Sequence, residues 1–528
     1  MLKPRCRAAK KYAGIACLLL WALAPQAEAA ADKTLRFAMY DAALGSADNG
    51  TLDPVRTYTF RYFTLQHQIF ETLVAVDFNE QQVRPALAVR WETAREKNIR
   101  FFLRRNVHFH NGEIFNAACV KFSIDLMKDP RNKFGWRFLL DTVDSVKVID
   151  DYTVEFALKE PDALLLRKLS SIGVMFPRKY YERVGADYFS RYPMGTGPFR
   201  FFYFAFQPGG GRQIHLVANE DYWGGKVELK ELIYLFMSKE RQWQALAAGE
   251  IDMLITQIPP PAPILENAGL SLITERPLRN SACVLNIDKP GPLQDIRVRQ
   301  ALEHAVNRSD IIAQALAGQA APLYTAAPEG SLAYSPGPPR YPESKEAARR
   351  LLKEAGLPKG CTLSVMASTI EPAVSVVKIL KAQLAEVGIT LEPHFLTRER
   401  IIKEIVEPKL MGQTKPAPYD IWVINAWPDL FGATAHFYFM FLHSRGLFNI
   451  GTRMQAASPV DALYAEALKA RDDKELAVLL RKMDSAILDE ALLIPLYQPR
   501  LVYGMKKNVH FKPGLNDLPL RFKQCTIE

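Results

Sequence analysis

Asp295-Ile296-Arg297-Val298-Arg299-Gln300-Ala301-Leu302 leads, two residues later, into Ala305-Val306-Asn307-Arg308. The apolar spacing predicts a helix that runs from Ile296 to Gly318. Arg297, Arg299 and Arg308 read as braces between that helix and its neighbours. Downstream, helical patterns over Ser344–Gly356 and Val374–Val387 alternate with strand-like runs, Leu363–Ala367 and Tyr419–Asn425. Alternating strands and helices indicate an α/β lobe. The stretch Ala326–Pro342 is too rich in proline for either element, and Pro259-Pro260-Pro261 is a shorter breaker.

Upstream the texture is different. A strand, Thr34–Met39, precedes Leu52-Asp53-Pro54, and apolar Phe60, Phe63, Ile69 and Phe70 mark an amphipathic helix ending near Leu73. Asp150-Asp151-Tyr152 reads as the turn between strands Ser145–Val148 and Thr153–Leu158. Gly209-Gly210-Gly211 turns the aromatic segment ending at Phe206 into Gln213–Ala218, a hairpin. Gly195 and Gly197 are expected to supply positive backbone dihedrals and close packing.

The chain has 528 residues, 23% charged and 48% hydrophobic, with a formal charge of +10. These are the proportions of a globular protein, not of a disordered or disulfide-scaffold chain. The N-terminus accounts for much of the charge. Lys3, Arg5, Arg7, Lys10 and Lys11 precede an apolar run, Ala13–Ala24, and the small-residue series Ala27-Glu28-Ala29. That is a secretory signal with cleavage after Ala29, and a dozen apolar residues are too few to span a bilayer. Cleavage removes five basic residues and one acid, leaving +6 and a chain exported beyond the cytoplasmic membrane. Nothing in that balance calls for nucleic acid. Cys119, Cys283, Cys361 and Cys525 remain, too widely spaced to fix a pairing.

No nucleophile-elbow, zinc-helix or phosphate-loop motif is present, so the sequence offers no catalytic centre. His108 and His110 alternate as in a strand, without a third metal ligand nearby.

Several stretches nevertheless converge. Val107-His108-Phe109-His110-Asn111-Gly112-Glu113, leading into a helix near Ala117, is one. Tyr192-Pro193-Met194-Gly195-Thr196-Gly197-Pro198-Phe199 is a second; Asn219-Glu220-Asp221-Tyr222-Trp223 and Ala248-Gly249-Glu250-Ile251-Asp252 are two more. With the opening segment, they follow in order the motifs of extracellular solute-binding proteins of family 5, the oligopeptide-, dipeptide- and nickel-binding group of ABC importers. The chain resembles that family over essentially its whole mature length.

The resemblance implies a two-lobed periplasmic binding protein of α/β class, similar to type II, with an inserted subdomain and a ligand cleft between the lobes. Residues 30–73 and 190–284 are expected to build the base of lobe I and 74–189 its inserted domain. Residues 285–494 form lobe II, and 495–528 return to lobe I. It further implies a monomer that needs no cofactor, is not an enzyme, and hands its solute to a membrane permease with a separate ATPase.

Site residues follow from the same resemblance. Trp427 and Asp429 resemble a tryptophan–acid pair that meets a peptide's terminal ammonium; the plainer reading makes Asp429 an N-cap for a helix Leu430–Phe441. Tyr58, Thr59 and Phe60 fall near the cleft. Trp136 and Arg137 lie where peptide binders offer an aromatic residue, and nickel binders an arginine. Tyr497 and Gln498 stand at the second crossing. Ile424 departs from the pattern, occupying the place of a cleft arginine. The cargo expected is an oligopeptide or dipeptide. The alternative is a nickel or other metal chelate, held by Trp427, Arg137, His436 and His443, or another polar solute; a secreted hydrolase ranks below both.

Overall fold

The computed structural model describes residues 33–40, 51–56, 62–95, 97–132, 134–206, 211–265, 269–412, 415–452, 458–515 and 518–528. The export signal and Tyr58, Thr59 and Phe60 therefore lie outside the described residues. Two large sheets organise the molecule. The first has the order Leu270–Glu275, Leu501–Lys506, Met253–Thr256, Thr34–Tyr40, Glu231–Met237, Arg212–Ala218, Phe199–Phe206. Its central pair, Thr34–Tyr40 and Glu231–Met237, is parallel, with Phe37 opposite Tyr234. Both strands are largely buried, as parallel strands covered on two faces must be.

The second sheet has the order Ala320–Pro322, Leu493–Pro499, Arg279–Leu285, Ile421–Pro428, Cys361–Ser368, Ile389–Leu396. A four-stranded antiparallel sheet, built from strands between Ala88 and Leu158, carries the inserted region. The chain passes from the first large sheet to the second between Glu275 and Arg279, and returns between Pro499 and Leu501. These points differ from the expected 285 and 495. The apolar run Ala282–Leu285 is a central strand of the second sheet, and Arg276-Pro277-Leu278 before it makes the break.

The stretch after Asp295 forms two helices, not one: Ile296–Ala305 and Arg308–Leu316. Asn307 between them is extended, and its side chain accepts from the Asp310 amide, a capping bond that starts the second helix. The arginines do brace. Arg299 is buried and donates to the carbonyls of Leu293, Gln294 and Glu490. Arg308 donates to Leu323 and Pro495 and pairs with Glu303 at 2.7 Å, both side chains buried.

Of the two reasons expected for the glycine signature, close packing holds and positive dihedrals do not. Neither Gly195 nor Gly197 has a positive φ. A Cβ on Gly195 would lie 1.9 Å from the Ile69 carbonyl oxygen, and one on Gly197 would lie 2.4 Å from that of Gln68. The turn is pressed against the end of helix Phe63–Ile69, and only glycine fits there. His110 locks it from the other side: Nε2 donates to Gly197 O and Nδ1 accepts from Gly195 N. His110 thus serves the turn, while His108 is exposed; the two do not form a shared strand face. Glu71 gathers the rest, accepting from Thr196 (2.9 Å), Tyr222 (2.6 Å) and Trp223 (2.6 Å). Burial raises its pKa even so. Among the described residues all four cysteines are unpaired.

Candidate interlobe binding site

The second large sheet and the inserted region meet through aromatic side chains. Helix Ala435–Leu442 reads Ala-His-Phe-Tyr-Phe-Met-Phe-Leu and is buried all round, as an apolar helix wedged between layers must be. It starts five residues later than expected. Asp429 explains the delay: its carboxylate accepts from Phe431 N, and from Thr434 N and Oγ1, and so holds a turn that ends at Thr434 in the left-handed region, φ 58°. Asp429 is buried, and burial raises its pKa.

That turn sets His436 between two tryptophans. Its ring lies 5.7 Å from Trp136 and 6.0 Å from Trp427, near-parallel to the latter, with Phe431 at 5.0 Å. Trp427 also packs edge-on against Phe441 and Phe448. Trp136 reaches Phe63 of the first lobe at 6.3 Å, and Phe138 stacks on Phe439 at 5.3 Å. Two residues expected from the sequence, Trp136 and Trp427, are therefore brought together across the lobes by a third. Arg137 is not part of this cluster. It lines a separate cavity of about 460 Å³ with Lys168, Arg445 and Tyr464.

Next to the aromatic cluster along the chain is a cavity of about 320 Å³. Tyr40 and Thr256, at the carboxyl ends of parallel strands, form one wall with Lys239, Gln242 and Gln257; Arg279 and Pro428 come from the second sheet. The carboxyl ends of parallel strands are where open α/β sheets bind ligands. Lys239 crosses the junction, donating to Glu371 O at 3.2 Å with its ammonium over the Tyr40 ring. Tyr497 is buried and donates to Asn425 Oδ1 at 2.7 Å, and Asn425 Nδ2 reaches Gln257 at 3.5 Å. Gln498 is spent on the crossing itself, donating to Pro277 O and Glu329 O and accepting from Glu329 N.

Burial pushes the His436 pKa down to about 3. The folded protein keeps this ring neutral while the unfolded chain protonates it near pH 6.5. Unfolded chains then bind more protons, so stability falls as pH drops through that window. At pH 4.5 a His436→Phe protein is expected to lose about 2–3 kcal/mol less than the parent, relative to pH 7.5. Urea midpoints of both proteins at both pH values check this, and equal losses would refute it.

The two histidines proposed for a chelate part company. His436 faces the tryptophans; His443 lies beyond the helix end against Phe439 and Tyr464, with Asp461 at 3.7 Å. Among the described residues no three His, Cys, Asp or Glu side chains gather as a metal site.

The sequence model of bacterial extracellular solute-binding proteins, family 5 Middle, matches residues 82–449. The chain belongs to this family. The likeness to curated proteins extends beyond that segment. The chain is 27% identical over 492 residues to di/tripeptide-binding protein 2 of Pseudomonas aeruginosa (strain UCBPP-PA14), covering 87% of this chain and 89% of that protein. It is 27% identical to glutathione-binding protein GsiB of Escherichia coli (strain K12), covering 90% and 92%. Its fold matches the ABC transporter-associated periplasmic binding protein DppA from Helicobacter pylori, solved with the peptide STSA, at TM-score 0.78 and 22% identity, over 94% and 98% of the two chains. Family 5 membership accounts for the ordered motifs, which prove to be joints within the scaffold. Lys239, Gln242, Gln257, Arg279 and Asn425 escape motif reading. For Asn425 the signal that could have found it is position, because it ends the predicted strand Tyr419–Asn425; Gln257 follows the strand Met253–Thr256, which the sequence pattern does not announce.

Proposed function

We propose that this family 5 protein is the periplasmic capture component of an ABC importer, and that it takes short peptides. The observation that carries the reading is the pairing of Trp136 with Trp427 around His436, beside a cavity at strand ends and between two lobes joined by two crossings. Two lobes on a double crossing can close on a ligand, because contacts to both favour the closed form. Flat aromatic walls suit side chains of many shapes, and main-chain hydrogen bonds supply peptide affinity without demanding particular side chains. The protein performs no chemistry on its cargo. It works as a monomer, exported by the segment that ends at Ala29, and delivers to a permease driven by a separate ATPase. Among the described residues no helix is long and apolar enough to cross a membrane.

The test is mass spectrometry and metal analysis of whatever is released when freshly purified protein is denatured, followed by melting curves with a tripeptide library. A bound peptide is expected. At a hundredfold excess over Kd it should stabilise the fold by about 2.7 kcal/mol. Release of a metal chelate or a non-peptide solute, with no peptide raising the melting temperature, would overturn the peptide reading.

A further inference from the structure

We infer that the outer edge of the first large sheet is a membrane-contact surface, suited to a bilayer that carries anionic phospholipid. No particular cargo is needed for this, only export to the periplasm. Strand Phe199–Phe206 reads Phe-Arg-Phe-Phe-Tyr-Phe-Ala-Phe and ends the sheet, paired on its inner side with Arg212–Ala218. Its rings do not all turn inward. Phe202 is 59% exposed and Phe206 76%, and Tyr203, Tyr188 and Tyr192 are exposed as well. They belong to one surface. Tyr188 lies 4.8 Å from Tyr192, Tyr192 meets Phe201 at 6.3 Å, and Phe201 meets Phe204 at 4.7 Å. Phe202 leans on Tyr203 at 5.0 Å. Single exposed rings need no explanation, but a contiguous group of them marks a contact surface.

Charge points to the occupant. Arg191 is exposed beside Tyr192, and Arg200 stands in the strand itself. The Arg212 guanidinium lies over the Phe204 ring at 4.6 Å. Asp187, next to Tyr188, is paired with Arg56 at 2.6 Å, and Glu231, two strands in, is bonded to His215 at 2.9 Å. Aromatic rings with arginines among them match a bilayer interface, where rings settle at the headgroup level and cations meet phosphate.

A second copy of the chain, adding its own strand, suits this edge less well. The ladder shifts register between Phe201 and Tyr203, at Phe202. A bulged edge is a poor template for another strand. Placement favours the membrane too. The strands that lead to the two crossings, Leu270–Glu275 and Leu501–Lys506, lie at the opposite end of the sheet. A molecule resting on its aromatic edge leaves the hinge and the second lobe free to move.

The experiment is flotation of the mature protein with two kinds of vesicle. One holds equal parts of phosphatidylethanolamine and phosphatidylglycerol, and the other phosphatidylcholine alone. Binding to the anionic vesicles is expected, about tenfold above binding to phosphatidylcholine. Phe202→Ser combined with Phe206→Ser should cut it about tenfold and leave the melting temperature unchanged, since both rings are already in water. Arg191→Gln should cut it about fivefold, and raised salt should weaken the parent in the same direction. No binding to either vesicle would overturn the inference, and so would equal binding by the parent and the double variant. Analytical ultracentrifugation reads the rival occupant. A dimer that the double variant loses, without vesicle binding, would assign the edge to a second copy and overturn the membrane assignment.

Discussion

An Arg308→Ala protein is expected to unfold about 3–5 kcal/mol more easily than the parent, the largest stability loss anticipated for one side chain here. Arg308 is buried, pairs with Glu303 at 2.7 Å, and donates to the carbonyls of Leu323 and Pro495. Removing it strands a carboxylate with no water to solvate it and leaves two carbonyls unfilled. Burial already holds the Glu303 pKa up at about 7, so the stranded acid will take up a proton. The loss should therefore be smaller at pH 5 than at pH 8. A Glu303→Leu, Arg308→Met double variant is expected to recover much of the stability, because replacing both partners strands no charge. Guanidinium midpoints of the parent and the variants at the two pH values decide the matter. A loss below about 1 kcal/mol for Arg308→Ala would refute the argument.

Arg167→Met is expected to weaken ligand binding about 30- to 100-fold without touching the ligand. Arg167 belongs to the inserted region of the first lobe and is 1% exposed. It donates to Phe431 O at 3.1 Å and pairs with Asp473 at 2.9 Å, both across the junction, and to Gln81 O on its own side. Charge-assisted bonds of this kind contribute about 1.5–3 kcal/mol each when buried. The Asp473 bond counts for less, since that carboxylate is half exposed. Contacts made only when the lobes meet favour the closed form, and their loss appears as weaker affinity. Calorimetric Kd values check the size, and small-angle scattering of the liganded variant checks the cause. Unchanged affinity would show that the junction adds nothing to closure.

Much of the fold was legible because it depends on periodicity. The strands Thr34–Tyr40 and Cys361–Ser368 and the helix Ala373–Ala385 fall where apolar spacing puts them, within a residue or two. The long helix after Asp295 was misread because its break is made by one side chain. Asn307 caps a new helix inside an unbroken apolar pattern, and periodicity registers no cap. Close packing at Gly195 and Gly197 is legible in the sequence, but its partner is not: each avoids a carbonyl more than a hundred residues away. Such a clash exists only in the folded chain.

The site was legible in part. Trp136 and Trp427 stand out by type, whereas His436 is expected only as a chelate ligand beside Trp427 and not as the ring that joins the two tryptophans. Arg137 sits beside Trp136 in the chain and yet lines a different cavity, because a tight helical turn, Arg137–Leu140, begins there. Adjacency in sequence says little where a turn redirects successive side chains.

The double crossing has a mechanical side. Gln498, at the return, donates to Pro277 O, at the outward passage, and ties the Glu329 loop to both. The two spans are thus laced into a single strap, which resists sliding of one lobe past the other but still allows bend and twist. With shear suppressed, the lobes must return to the same alignment each time they meet. A trap built this way keeps its two jaws in register over many cycles of loading and release, whatever solute it carries.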